Sequence, residues 1–171
     1  MTGSGKMSSV KARQTQLMGI FALHNLEEIL SIGRDAAFNE NQLKALGIDS
    51  AWYRQDRMTL ATGLLTVLAH GLSRKLDNPA SPREAFLGAA VAGALAGNAL
   101  SHLGRALAQG RYNGGLVTSL VMLPTAVQVL HTVKTRDDLT GHQVVAAAVT
   151  GNLLAVPMIV LALTTARKIL R

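Results

Sequence analysis

His24, Glu27 and Glu28 fall within five residues, His24-Asn25-Leu26-Glu27-Glu28, inside an otherwise apolar segment that covers residues 14–33. One imidazole and two carboxylates in little more than a helical turn can hold and pass protons. The same groups can also ligate a metal. The setting raises the stakes, because an ionised side chain at the centre of a bilayer costs roughly 2.5–3.5 kcal/mol on insertion scales. Such groups have to face a protein interior and find partners there.

The elements that position them follow from the distribution of charge. Apolar residues make up 49% of the 171-residue chain and charged residues only 16%, against a usual quarter. Charge-free runs cover residues 58–73, 85–104, 112–133 and 139–166, with lengths of 16, 20, 22 and 28. About 20 apolar residues cross a bilayer as a helix. Three runs reach that length outright, and Ala51 to Tyr53 with flanking arginines extend the shortest. With the His24 segment they predict an all-α, polytopic membrane helix bundle of about five transmembrane helices. The runs do not alternate as the strands of a membrane barrel would. They also exceed what the core of one small water-soluble bundle could bury.

Other classes are disfavoured by composition. Without cysteine there is no disulfide framework and no thiolate metal site. A net charge of +7 with only 4% aromatics provides no stacking surface for bases. The basic residues sit at helix ends, where they would meet lipid phosphates. Membrane lipids and a lipophilic small molecule, not nucleic acid, are the expected partners.

In chain order, residues 1–13 read as a disordered basic N-terminus and residues 14–171 as a single transmembrane helical domain. No small-residue cleavage site follows the first apolar stretch, which argues against a signal peptide. A short interfacial helix is expected over residues 39–46, with Trp52 and Tyr53 at the membrane interface. Ser81, Pro82 and Glu84 form a capping pattern for a third helix that Gly110 ends. Pro124 and Pro157 lie inside the fourth and fifth helices and are expected to kink them. His70, His131 and His142 read as interfacial or surface groups, Asp137 and Asp138 as a solvated loop pair, and Gln128 and Asn152 as interhelical hydrogen-bonders.

The first and third helices run parallel if every run spans, so their depths can be compared. Glu27 and Glu28 lie three to five residues past the centre of the first helix, and Asn98 a similar distance past the centre of the third. His102 follows Asn98 at i+4, as Glu28 follows His24. Gly93 and Gly97 form a GxxxG step that admits a close neighbour within the chain or from a second copy, which leaves a homo-oligomer open. The inferred pocket therefore contains His24, Glu27, Glu28, Asn98 and His102 as candidate catalytic groups. Tyr112, Arg34, Arg105 and Arg111 stand at its mouth as candidate substrate-binding groups.

These residues resemble a known family. His24-x-x-Glu27-Glu28 looks like the motif that names the HXXEE family of small bacterial membrane proteins. Asn98-x-x-x-His102 and the block from Tyr112 to Thr118 are similar to that family's other spaced motifs, with Gly114 where members typically carry proline. That difference suggests a looser turn before the fourth helix. The resemblance implies a bacterial cytoplasmic membrane protein and supports the pocket, without implying a reaction. The leading expectation is an integral membrane enzyme. It would use the Glu/His/Asn pocket for acid–base chemistry on a prenyl or sterol-like chain, as an isomerase or cyclase. A metal-assisted version would place zinc or iron on His24, Glu27, Glu28 and His102; otherwise no cofactor is needed. The alternatives are a proton- or cation-coupled transporter or relay, and a structural membrane scaffold.

Overall fold

A computed structural model describes residues 3–32, 54–77, 79, 81–136 and 138–170. Its described residues form five α-helices: α1 (Gly3–Ser31), α2 (Gln55–Ser73), α3 (Pro82–Gln109), α4 (Leu116–Thr135) and α5 (Gly141–Ile169). A single 3-10 turn, Arg74–Leu76, extends α2. The chain is thus an all-α bundle, as the charge-free runs require. Three helices, α3, α4 and α5, are long and apolar enough to cross a membrane. The expected interfacial segment, with Arg34, Trp52 and Tyr53, lies outside the described residues, as does Asp137.

The helix boundaries have local causes. Ser81 Oγ accepts from the Glu84 amide, Pro82 occupies the first helical position, and Gly110 closes α3 at φ 61°. Such a left-handed residue at a helix end suits glycine, which has no Cβ to clash. Thr140 and Gln143 cap α5 reciprocally. Both α4 and α5 continue through their prolines. The first helix starts at Gly3, so residues 3–13 are helical where the composition suggested disorder. Lys6, Met7, Lys11, Ala12 and Arg13 are all good helix formers, and residues 17–24 anchor the helix they extend.

The packing centres on α3, which lies against both α4 and α5, while α1 lies on α4. Small residues make the α3–α5 approach possible. A Cβ added to Gly93 would collide with the backbone of Ala148, and one added to Gly151 would collide with the Ala90 carbonyl. Asn152 Nδ2 closes this contact by donating to Gly93 O at 3.0 Å and to Ala148 O at 2.9 Å. The GxxxG step is therefore used within the chain, against α5. Gln128, expected beside Asn152 as an interhelical group, is exposed. Asp138 is paired with Arg136 and is not freely solvated.

The surface is apolar where the core is small or polar. Val145, Val149, Leu153, Val156 and Ile159 are exposed along α5, and Leu23, Leu26 and Leu30 along α1. On α1 the opposite stripe, Leu17, Phe21, His24 and Ser31, is buried. Large apolar side chains thus face outward as well as inward, and His, Asn and Ser are buried beside Leu17 and Phe21.

Candidate functional site

The site is assembled around the start of α4. Gly115 occupies the N-cap of that helix at φ 87° and has no side chain to cap it. The first amides of a helix lack intrahelical acceptors, so those of α4 look elsewhere. Glu27 supplies the acceptor from α1. Its Oε1 takes hydrogen bonds from the Val117 amide at 3.1 Å and the Tyr112 hydroxyl at 2.8 Å. Its Oε2 takes the Thr118 amide at 3.0 Å and the Thr118 hydroxyl at 2.6 Å. Four donors and the positive end of the α4 dipole hold one carboxylate.

The turn before α4 is tightly packed, contrary to the looseness that Gly114 in place of proline suggested. A Cβ on Gly114 would run into Ser31 Oγ. A Cβ on Gly115 would lie 2.5 Å from His24 Cε1 and 2.8 Å from His102 Cε1. The two glycines let α1 and both imidazoles close on the backbone.

Glu28 has different neighbours. Its Oε1 lies 3.1 Å from His102 Nε2 and 3.9 Å from His24 Nε2. The two rings meet edge to face with centroids 4.7 Å apart. His24 is fully buried and His102 is 2% exposed, while the Glu28 side chain keeps 25% exposure. The centre thus has a buried floor and one accessible carboxylate.

The hydrogen bonds assign the ring proton of His24. Thr118 gives its hydroxyl hydrogen to Glu27, so its oxygen accepts from His24 Nδ1 at 2.9 Å. Asn113 Nδ2 donates to the His102 carbonyl at 3.0 Å, which turns Asn113 Oδ1 toward His102 Nδ1 at 2.9 Å. His24 Nδ1 therefore carries its hydrogen, whereas His102 Nδ1 faces both an acceptor, Asn113 Oδ1, and a donor, the Arg105 guanidinium. In the neutral His24 ring the lone pair is then on Nε2, and a hydrogen on His102 Nε2 would be donated to Glu28 Oε1, 3.1 Å away. Asn98 Nδ2 donates to the His24 Nε2 lone pair at 2.9 Å. Arg105 Nη2 lies 2.9 Å from His102 Nδ1 and adds a positive charge beside that ring.

The five candidate catalytic residues expected from the sequence are brought together, with Glu27 joined to the rest through Thr118. Among the candidate substrate-binding groups, Tyr112 bonds Glu27 and Arg105 touches His102. Arg111 is exposed, and its Nε donates to Gln109 Oε1 at 3.2 Å on its own helix end. Arg34 lies outside the described residues. For a metal, one ligand atom each from His24, Glu28 and His102 lies within 4.8 Å of the others. Glu27, expected as a fourth ligand, is not in this group; the donors of α4 and Tyr112 take both its oxygens.

Sequence reasoning missed Thr118 and Asn113 as parts of the site. The signal was present: a Gly-Gly start leaves α4 without its own cap, so an acidic group at that depth becomes the natural acceptor. Asn25 was also missed; it is buried and donates to Thr66 Oγ1 at 2.6 Å, joining α1 to α2.

Fold and site together define the class: a small helical bundle with membrane-length helices and a buried His/Glu/Asn centre near the start of α4. The chain matches the family described as protein of unknown function with HXXEE motif over residues 16–129, two thirds of its length, and belongs to that family. Every residue of the centre falls inside the matched segment, and α5 lies outside it. No curated protein and no solved structure matches the chain.

Proposed function

We propose that this protein is an integral membrane enzyme of the bacterial cytoplasmic membrane that adds or removes a proton on a lipophilic substrate, such as a prenyl or sterol-like chain. Isomerisation and cyclisation are the reaction types that fit. The observation that carries the reading is Glu28 Oε1 set 3.1 Å from His102 Nε2 at the edge of a buried imidazole pair. Two bare lone pairs would repel at that separation, so the ring nitrogen and the carboxylate oxygen share an electrophile. In the simplest form it is a proton. Glu28, the more exposed partner, exchanges it with substrate, and His102 is the second proton carrier. The apolar surroundings suit a hydrocarbon substrate, and Arg105 provides charge for a polar head group. Glu27 holds α4 in place and does not enter the proton path.

The test uses the full chain in detergent or nanodiscs, incubated in D2O with a bacterial membrane lipid extract. The expected result is solvent deuterium in a lipid species, seen by mass spectrometry, and its loss in Glu28→Gln. Equal lipid spectra for the wild type and Glu28→Gln would end the reading. No contact specifically favours transport. The scaffold alternative is supported for Glu27, whose oxygens are occupied, but not for Glu28.

A further inference from the structure

We infer that His24 Nε2, His102 Nε2 and Glu28 form a binding site for one divalent transition-metal ion, of the zinc or ferrous class. The inference deepens the proposed acid–base reading, since it names the electrophile held at the same junction. It rests on the ligand geometry and not on catalysis.

Three observations lead to it. First, the donor set is two imidazole nitrogens and one carboxylate, which suits zinc and non-haem iron and leaves positions open. Calcium and magnesium prefer oxygen ligands. Second, the spacing fits. Ligands about 2.0–2.1 Å from a tetrahedral zinc stand about 3.3 Å apart. The Glu28 oxygen lies 3.1 and 3.9 Å from the two ring nitrogens, and all three ligand atoms lie within 4.8 Å of one another, so an ion between them would draw the set together.

Third, the outer partners are those of a metal centre. A ligating histidine donates its other ring N–H to a fixed acceptor, which orients the ring and increases its basicity. His24 Nδ1 donates to Thr118, which in turn donates to Glu27, giving an imidazole–hydroxyl–carboxylate chain. Asn113 Oδ1 stands 2.9 Å from His102 Nδ1 as an acceptor, pinned by the bond of its Nδ2 to the His102 carbonyl, with Arg105 Nη2 at the same distance from that nitrogen. The His24 lone pair is thereby aimed inward, and a metal on His102 Nε2 would select the tautomer that donates to Asn113. Asn98 donates to the His24 lone pair, and turning its amide over presents Oδ1 instead, an oxygen able to join the shell. Gly115 keeps the space beside both Cε1 atoms free of a side chain.

The experiment takes the full chain purified without chelators, then stripped and reloaded separately with Zn2+, Co2+ or anaerobic Fe2+. Elemental analysis should find about one ion per chain, and Co2+ should give visible absorption of a low-coordinate nitrogen/oxygen site. Glu28→Gln, which preserves shape, should weaken Zn2+ binding at least tenfold. Thr118→Val should weaken it by about 10–100-fold through loss of ring orientation, and Thr118→Ser should restore it. The exposed histidines provide the control: His70→Ala and His131→Ala should leave affinity unchanged. Stoichiometric metal that survives Glu28→Gln, or its absence from folded wild type after reloading, overturns the site. Glu28-dependent deuterium incorporation without bound metal would overturn the metal alone. Bound metal without deuterium incorporation would overturn the acid–base reading alone.

Discussion

Glu27 meets four donors from α4 and Tyr112, whereas Glu28, the next residue, meets two imidazoles and keeps a quarter of its side chain exposed. The two carboxylates share a helix, a depth and an intrinsic chemistry. They differ in which neighbour lies below them. Successive residues on a helix point about 100° apart, so Glu27 falls over the bare amides of α4 and Glu28 over the histidines of α1 and α3. A carboxylate whose lone pairs are taken by fixed backbone donors acts as part of the fold. A carboxylate set beside two buried imidazoles is placed to share a proton with them.

The comparison can be strained first where both halves share a support. Gly115→Ala places a methyl group against both imidazoles at a backbone angle costly for any other residue. Left-handed strain of about 1–2 kcal/mol and overpacking of about 1–3 kcal/mol should together lower stability by about 2–5 kcal/mol. Thermal unfolding in nanodiscs measures it. A variant as stable as the wild type would mean that the turn and rings are not packed as described.

Next, Glu27→Gln puts an amide N–H against the donors that now share a carboxylate. Hydrogen bonds to charged groups contribute about 1.5–3 kcal/mol, so stability should fall by about that amount, with α4 the first helix to lose amide protection in hydrogen exchange. Uniform protection loss across all helices would dissolve the distinction between Glu27 as a cap and Glu27 as a general core group.

Gly93→Ala sharpens the comparison from the far side of α3. Pushing α3 off Ala148 should cost about 1–3 kcal/mol and leave zinc affinity intact in the folded fraction. Lost affinity at full folding would show that the α3–α5 contact also shapes the centre.

Much of this centre was legible in the sequence. Helix geometry is regular enough that the i,i+4 pairs His24/Glu28 and Asn98/His102, compared at matched depth, imply contacts that the structure places at 2.9 and 3.1 Å. The length and charge of the apolar runs likewise implied five helices. The division between Glu27 and Glu28 was not legible, because it depends on where the N-terminus of α4 comes to rest. That position is set by a Gly-Gly turn whose close packing is a tertiary property. The same limit hid Thr118 and Asn113, whose roles arise from ring orientation and not from spacing. It also hid the partner of the GxxxG step, since small residues mark a close approach without naming what approaches. The helical N-terminus was masked by its Gly and Ser content, against which the lysines, Met7 and Ala12 favour a helix.

The most direct test of the account is the behaviour of Glu28→Gln in the D2O lipid assay, run beside its own thermal unfolding curve. Glutamine can either donate to or accept from His102 Nε2, so its stability should stay within about 1 kcal/mol of the wild type. The account predicts a folded variant that incorporates no solvent deuterium into lipid. Incorporation at the wild-type rate by folded Glu28→Gln would contradict it.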